Sequence, residues 1–191
     1  MKASKFHKEE YKNWRNYDEE QFQERDFQRQ KAYDAEHAIR DKMSNNKKYD
    51  SREEIQKRVD KICSYKWFTS RWGNHQIRVI HKTHGSWAYG NYHKKHIRLP
   101  EWAWNDLIVL HELAHAITPP ETGGRHGRYW AATFLELVEK VMSKADYIVL
   151  RESFKTHGVK YSQKRRLSEE TKEKMRDHMK QVRQKSPIFN K

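Results

Sequence analysis

The residues best suited to chemistry in this chain are His111, Glu112 and His115, which lie in the sequence HELAH. On an α-helix, side chains four residues apart point in nearly the same direction, so His111 and His115 can direct imidazole nitrogens to one ion. Glu112 would then lie one step around the helix, beside that ion. This spacing is typical of a zinc ion that activates water, with a carboxylate as the general base.

The residues around this motif make a chance occurrence a poor explanation. With 12 histidines in the chain, the pattern alone would arise in roughly one chain in fifteen of this composition, so its context has to decide. The segment LIVLHELAHAI (107–117) is apolar on nearly all sides, which predicts a buried helix that Asn105 or Asp106 caps and Pro119-Pro120 ends. Buried imidazoles and a buried carboxylate need polar partners, and a metal ion supplies them.

A third ligand has to come from outside the motif. The metzincin pattern, with a glycine and a histidine three and six residues after His115, is excluded because Thr118 and Glu121 occupy those positions. Two other choices follow on the next predicted helix: His126, or a glutamate in the thermolysin-like manner, for which Glu136 or Glu139 can be proposed.

Helical phase favours the histidine. If His126 faces inward, Trp130 and Leu137 share its face, whereas Glu136 lies about a quarter turn away and Glu139 is nearly opposite. The loop 118–125, with two prolines and two glycines, can also fold the second helix back toward the first. We therefore predict one zinc ion per chain, bound by His111, His115 and His126, with Glu136 as the alternative third ligand.

Three protein ligands leave a fourth position for water, which is typical of catalytic rather than structural zinc sites. The sequence therefore predicts peptide or amide hydrolysis, with Glu112 taking a proton from water and returning it to the leaving amine. Tyr129, close to His126, is the candidate for stabilising the oxyanion. The alternative is a nucleic-acid-binding or scaffold protein whose zinc is structural, a hypothesis that accounts for the histidines but not for Glu112.

Periodicity and capping signals predict the helices and strands around these residues. Residues 8–42 are expected to be mostly helical, and Ser51 with Glu54 begins a helix over 51–67. The alternation of apolar and polar residues in 76–81 predicts one short strand. The segment 87–100 predicts two more short strands, joined by a turn. Further helices are expected over about 127–142 and 144–156, and Cys63 is expected in the core. The fold class is therefore α+β, with a small sheet packed on helices.

Charge and composition describe the ends of the chain. The net charge is +14 and 35% of residues are charged; the excess of basic residues lies mainly in 155–191, where Ser168 is expected to begin an exposed helix. This tail could contact DNA phosphates, although a solvated helix face explains it equally well. The single cysteine, the absence of an apolar leader and the absence of a membrane-length apolar run predict a cytoplasmic protein without a membrane partner.

Four segments of the chain extend this pattern: RDFQRQKAYDAEHAI (25–39), HIRLPEWAWNDLIVLHELAHAI (96–117), HGRYWAATFLELVEKVM (126–142) and FKTHGVKY (154–161). Together they resemble a family of metallohydrolases from actinobacteria and their phages, and the resemblance covers roughly 25–161. More distantly, the HELAH helix followed by His126-Gly127 is similar to SprT-like zinc metalloproteases. In that pattern His111, His115 and His126 match the zinc ligands and Glu112 matches the catalytic glutamate.

The resemblance implies a minimal zincin fold, in which a small sheet borders a cleft above two zinc-binding helices. It divides the chain into a helical N-terminal extension (1–24), a catalytic domain (25–160) and a basic tail (161–191). It also implies a protein or peptide substrate, which we expect to bind along the hairpin 87–99 as an added strand. SprT-like proteins attack proteins crosslinked to DNA, so proteolysis of DNA-associated proteins, in a host cytoplasm if a phage encodes the chain, is a further hypothesis.

Overall fold

The computed structural model describes residues 26–81, 87–120 and 125–161, and within these ranges the chain folds as helices around a small sheet. The α-helices of these three ranges are α1 (Arg29–His37), α2 (Arg52–Ser64), α3 (Lys66–Trp72), α4 (Asp106–Ile117), α5 (Arg128–Val141) and α6 (Lys144–Thr156). The three strands are β1 (Arg78–His81), β2 (Tyr89–Asn91) and β3 (His96–Leu99), and short 3-10 turns cover Arg40–Lys42 and Glu101–Ala103. The predicted α+β class is confirmed.

The sheet is mixed and has the order β1-β3-β2. Strand β3 is central, parallel to β1 through the pair Arg78 and His96, and antiparallel to β2 through the pair Tyr89 and Arg98. The two strands predicted within 87–100 are confirmed as the hairpin β2–β3. Among the described strands, β2 therefore forms one edge of the sheet.

Helix α4 lies at the centre of the core. It begins as predicted at Asn105, whose side chain accepts a hydrogen bond from the backbone N–H of Ile108. Leu107, Leu110 and Leu113 are fully buried, and the sheet contributes the equally buried Ile97 to the same core. Because α4 is buried on almost every side, its polar residues must find partners inside the protein.

The helix predicted over 51–67 ends at Ser64 and a second helix begins at Lys66, so this prediction is wrong only in its last residues. The Ser51 cap is confirmed, since its side chain accepts from the backbone N–H of Glu54. Helix α2 ends at Ser64, and Tyr65 is extended, with ψ of 139°, before α3 begins. The change of direction brings Phe68 of α3 into the core, where it is fully buried and packs 5.0 Å from Trp72 between ring centroids.

The predicted N-terminal helix is shorter than expected where the structure describes it. Helix α1 ends at His37 and a 3-10 turn follows, while residues 8–25 of the predicted helical segment lie outside the described residues. Ala32 and Ala35 bury one face of α1, and Ser153 of α6 donates a hydrogen bond to the Ala35 carbonyl at 2.8 Å. The helix predicted from Ser168 lies outside the described residues. No helix within the described ranges is both long and apolar enough to cross a membrane.

Candidate metal centre

Helix α4 and the start of α5 bring three histidine side chains together. His111 and His115 are one turn apart on α4, and His126 lies two residues before α5 begins at Arg128. The Nε2 atoms are 3.2 Å apart between His111 and His115, 3.3 Å between His115 and His126, and 3.3 Å between His126 and His111. His111 and His126 are buried, whereas His115 is partly exposed. The three predicted ligands therefore meet at one point.

The spacing of the three nitrogens fits a tetrahedral metal ion. With Zn–N distances of about 2.0–2.1 Å, tetrahedral geometry places two nitrogen ligands about 3.3–3.4 Å apart. The observed triangle has almost these dimensions, so the three histidines could hold a metal ion. Imidazole ligands suit zinc and the neighbouring transition metals better than magnesium or calcium, which prefer oxygen.

Two carboxylates orient the metal-facing rings from behind. Glu36 Oε1 lies 2.8 Å from His111 Nδ1, and Asp26 Oδ2 lies 2.5 Å from His126 Nδ1. Asp26 also accepts a hydrogen bond from the backbone N–H of His126 at 3.2 Å. A carboxylate at Nδ1 holds the ring proton there, which leaves the Nε2 lone pair for a metal. Two of the three histidines are therefore set in the tautomer that binds metal.

Sequence reasoning missed both carboxylates. Glu36 is 75 residues from His111 and Asp26 is 100 residues from His126 along the chain, so no local spacing relates them. One signal was available for Glu36, because a glutamate directly after Ala35 falls on the face that α1 buries. A charged residue on a buried face indicates a polar partner inside the protein.

The pKa values of the histidines differ with their surroundings. Burial and the neighbouring His126 and His111 lower the pKa of His115 well below its ordinary value. Burial also lowers the pKa of His126, against the opposing effect of Asp26. For His111, burial is outweighed by the carboxylates of Glu36 and Glu112, and its pKa is raised. A low pKa keeps an imidazole neutral, which is the state that binds a metal ion.

Glu112 lies beside the triad and is only 5% exposed. Burial, assisted by the Glu36 carboxylate, raises its pKa to about 7, while His111 and a hydrogen bond from the Gly90 backbone oppose the increase. A carboxyl group whose pKa is near neutrality is well matched to accepting and returning protons. The role of general base stays a prediction for Glu112.

Strand β2 passes directly over the HELAH helix at Gly90. A Cβ atom at Gly90 would lie 2.0 Å from the Glu112 carbonyl oxygen and 2.8 Å from the His115 Cβ. Only glycine allows the strand to approach this closely. Gly90 was not predicted as a site residue, although an isolated glycine in a predicted strand is a signal of close backbone approach.

Aromatic rings enclose the triad on two sides. Trp130 of α5 is fully buried, with ring centroids 4.7 Å from His111, 5.0 Å from His115 and 4.6 Å from His126. Tyr33 of α1 stacks on His111 at 5.8 Å and meets the edge of His126 at 5.2 Å. These contacts restrict the orientation of the imidazole rings.

The glutamates considered as alternative ligands lie elsewhere on α5. Glu136 pairs with Arg71 at 3.4 Å, and Glu139 pairs with Lys144. Within the described residues, the group of metal-ligating side chains close enough to share one ion consists of the three histidines. The tyrosine ring packed against that group, within the same ranges, belongs to Tyr33 and not to Tyr129, the residue considered from the sequence.

No protein-family model, curated protein or solved structure matches this chain. The family resemblance of the four sequence segments therefore stays a prediction, and the function has to be argued from the geometry of the site.

Proposed function

We propose that the protein is a zinc-dependent metallohydrolase that cleaves peptide bonds, with Glu112 as its general base. The observation that carries the proposal is the buried carboxylate of Glu112, which interacts electrostatically with His111 of the three-histidine triangle. A structural zinc site does not need a carboxylate beside its ligands. Burying a carboxylate in the protein interior also costs free energy of desolvation. A hydrolytic site needs a base in this place.

The residues of the triad and those around it have separate roles in the proposed hydrolysis. A zinc ion held by His111, His115 and His126 would supply Lewis acidity and make water a nucleophile at neutral pH. Glu112 accepts the proton of the attacking water and passes it to the leaving amine. The backbone N–H of Gly90 contacts the Glu112 carboxylate and keeps it oriented for both transfers.

The edge of β2 supports a peptide as the substrate. Among the described strands, β2 pairs with β3 alone, so its other edge can pair with an extended peptide. Gly90 places this edge next to Glu112 and His115. A peptide added as a strand would thus pass its backbone carbonyls beside the candidate metal centre, in agreement with the groove expected along 87–99.

A cleavage assay with a matched pair of variants tests the proposal. The zinc-loaded full chain is incubated with denatured casein, as are Glu112→Gln and the control Glu136→Gln, which changes a partly exposed glutamate of α5. We expect wild type and Glu136→Gln to cleave casein, and Glu112→Gln to bind zinc without cleaving. Equal cleavage by Glu112→Gln and wild type would contradict the assignment of the base.

Action on DNA-associated proteins is a narrower form of the same proposal. It is supported by the net charge of +14 and by the SprT-like resemblance, and the basic tail that would bind DNA lies outside the described residues. The assay is cleavage of a DNA-bound protein in the presence and absence of DNA. Stimulation by DNA that disappears at high salt is expected, and cleavage indifferent to DNA would contradict this narrower form. Salt-sensitive DNA binding without cleavage would instead support a structural zinc site.

A further inference from the structure

Tyr33 brings a hydroxyl group to the candidate metal centre from a helix that carries no metal ligand. Its ring lies parallel to that of His111, with an interplanar angle of 5° and centroids 5.8 Å apart. It meets the edge of the His126 ring at 5.2 Å. The side chain is neither fully buried nor fully exposed, so one part packs on the triad while another part can reach a bound molecule.

Ring contacts place Tyr33 between the triad and the beginning of β2. Its ring packs on His111 and His126, and Arg29 lies over both the Tyr33 ring and the ring of Trp87, which comes two residues before β2. Burial and the Glu112 carboxylate raise the pKa of Tyr33. The Tyr33 side chain therefore lies at the end of the triad where a peptide along β2 would bind.

Arg29 connects Tyr33 to the beginning of β2. It precedes Tyr33 by one helical turn, and its guanidinium carbon is 5.6 Å from the Tyr33 ring centroid and 5.6 Å from that of Trp87. Its positive charge also lowers the pKa of Tyr33, against the effect of burial. Arg29 thus restrains Tyr33 from above the ring and adds a positive charge close to the hydroxyl.

We propose that Tyr33 donates a hydrogen bond to the carbonyl oxygen of the scissile peptide bond, and that Arg29 is a positioning residue that orients Tyr33 for this contact. The inference rests on the proposed peptide hydrolysis. When the carbonyl carbon becomes tetrahedral, its oxygen gains negative charge, and a donor already in place stabilises that charge. The phenol keeps its proton throughout. Tyr33 takes the role for which the sequence alone offered Tyr129.

A binding experiment tests Tyr33 without requiring catalysis. The full chain is loaded with Co2+ and titrated with acetohydroxamate, whose carbonyl oxygen stands for that of a substrate, while the visible absorption of cobalt is recorded. Loss of one hydrogen bond to a charged ligand should weaken binding by about tenfold to a hundredfold in Tyr33→Phe. Tyr147→Phe is the control, because Tyr147 is similarly exposed and also lies beneath an arginine, Arg151.

The expected result is a weaker dissociation constant in Tyr33→Phe alone, with equal cobalt content in all three proteins. Unchanged affinity in Tyr33→Phe would overturn the inference, as would a wild-type chain that binds no cobalt. Thermal unfolding of each variant shows whether a lost affinity reflects loss of the fold. An unfolded Tyr33→Phe is replaced by Arg29→Gln, which should weaken hydroxamate binding without changing cobalt content, and unchanged binding in that variant would overturn the inference.

Kinetics on casein-derived peptides separates this inference from the proposed function. Tyr33→Phe should lower kcat by about 10²- to 10³-fold and leave KM nearly unchanged, because the contact strengthens only as charge develops. Full activity in Tyr33→Phe beside an inactive Glu112→Gln would overturn the role of Tyr33 alone. Full activity in Glu112→Gln would overturn the proposed function, while the hydroxamate titration would still decide for or against Tyr33.

Discussion

The position of one proton on each imidazole decides whether the triad can receive a metal. Glu36 and Asp26 accept at Nδ1 of His111 and His126, at 2.8 and 2.5 Å, and so leave Nε2 of both rings unprotonated. Outer carboxylates of this kind fix ring orientation and raise the basicity of the ligand nitrogen. The strength of metal binding should therefore depend on residues that never touch the metal.

Removing either outer carboxylate should weaken zinc binding. We expect Asp26→Asn and Glu36→Gln to lower zinc affinity by about 10- to 100-fold, the range typical for such partners, as measured by competition with a chromophoric chelator. Asp34→Asn is the control, because Asp34 lies on the exposed face of α1 and contacts Gln30. Equal affinity in all four proteins would show that the two carboxylates do not orient the ligands.

Site residues could be predicted from the sequence only where their spacing along one helix determines which side chains lie together. His111, Glu112 and His115 were identified because helical spacing aligns them, and His126 because its helical phase matches Trp130, which is buried against the triad. Asp26, Glu36 and Tyr33 were not assigned. Their contacts join the segment 26–36 to His111 and His126 across 75 or more residues of sequence, and only tertiary packing determines such pairs.

At the scale of elements, the contact between β2 and α4 holds the edge of β2 against the HELAH helix. Gly90 permits this contact, since a side chain there would overlap the backbone of Glu112. The separation of strand and helix is therefore set by one residue. Any larger residue has to move β2 away from Glu112 and His115.

Gly90→Ala should remove activity by displacing β2. We expect loss of casein cleavage together with a destabilisation of about 1–3 kcal/mol, which is typical of overpacking. Gly73→Ala is the comparison: its backbone has φ of +85° but its Cβ meets nothing within 4 Å. That variant should lose about 1–2 kcal/mol from backbone strain and keep its activity. Normal cleavage by Gly90→Ala, measured beside urea unfolding, would contradict this account of β2.

Helices and strands could be predicted where a capping residue or an alternation of apolar and polar residues marks them. Ser51 and Asn105 begin helices as expected, and the hairpin β2–β3 follows from alternation around a turn. The break at Tyr65 was missed because helical periodicity continues through it, whereas the burial of Phe68 decides the direction of the chain. The parallel pairing of β1 with β3 was not predicted from the sequence, because it depends on how the connection between the strands crosses the sheet.

At the scale of the whole molecule, long-range hydrogen bonds connect the segment after α1 to the start of α6. Asp146, at the start of α6, is 1% exposed. It accepts hydrogen bonds from the Ser44 backbone at 2.9 Å, from the Asn45 side chain at 2.9 Å and from the Ser143 hydroxyl at 2.6 Å. Burial disfavours its charge, but these hydrogen bonds outweigh burial and lower the pKa of Asp146.

The lowered pKa of Asp146 predicts a loss of stability in acid. Its contribution is complete above the unfolded-state pKa of about 3.9 and disappears as the pH falls through the lower pKa of the folded state. Asp146→Asn should therefore cost about 2 kcal/mol near pH 7 and progressively less below about pH 4. Urea unfolding at both pH values measures this, with Asp60→Asn on exposed α2 surface as the control. A cost that does not change with pH would show that the charge of Asp146 is not the cause.

The metal content of the purified full chain tests directly whether His111, His115 and His126 form a zinc site. Zinc is measured by elemental analysis in wild type, in His126→Ala and in Glu136→Gln, each after dialysis against a low concentration of zinc. The account predicts one zinc ion per chain in wild type and Glu136→Gln, and a loss of zinc in His126→Ala, because His126 completes the triangle of nitrogens. Zinc retained by His126→Ala and lost by Glu136→Gln would contradict it.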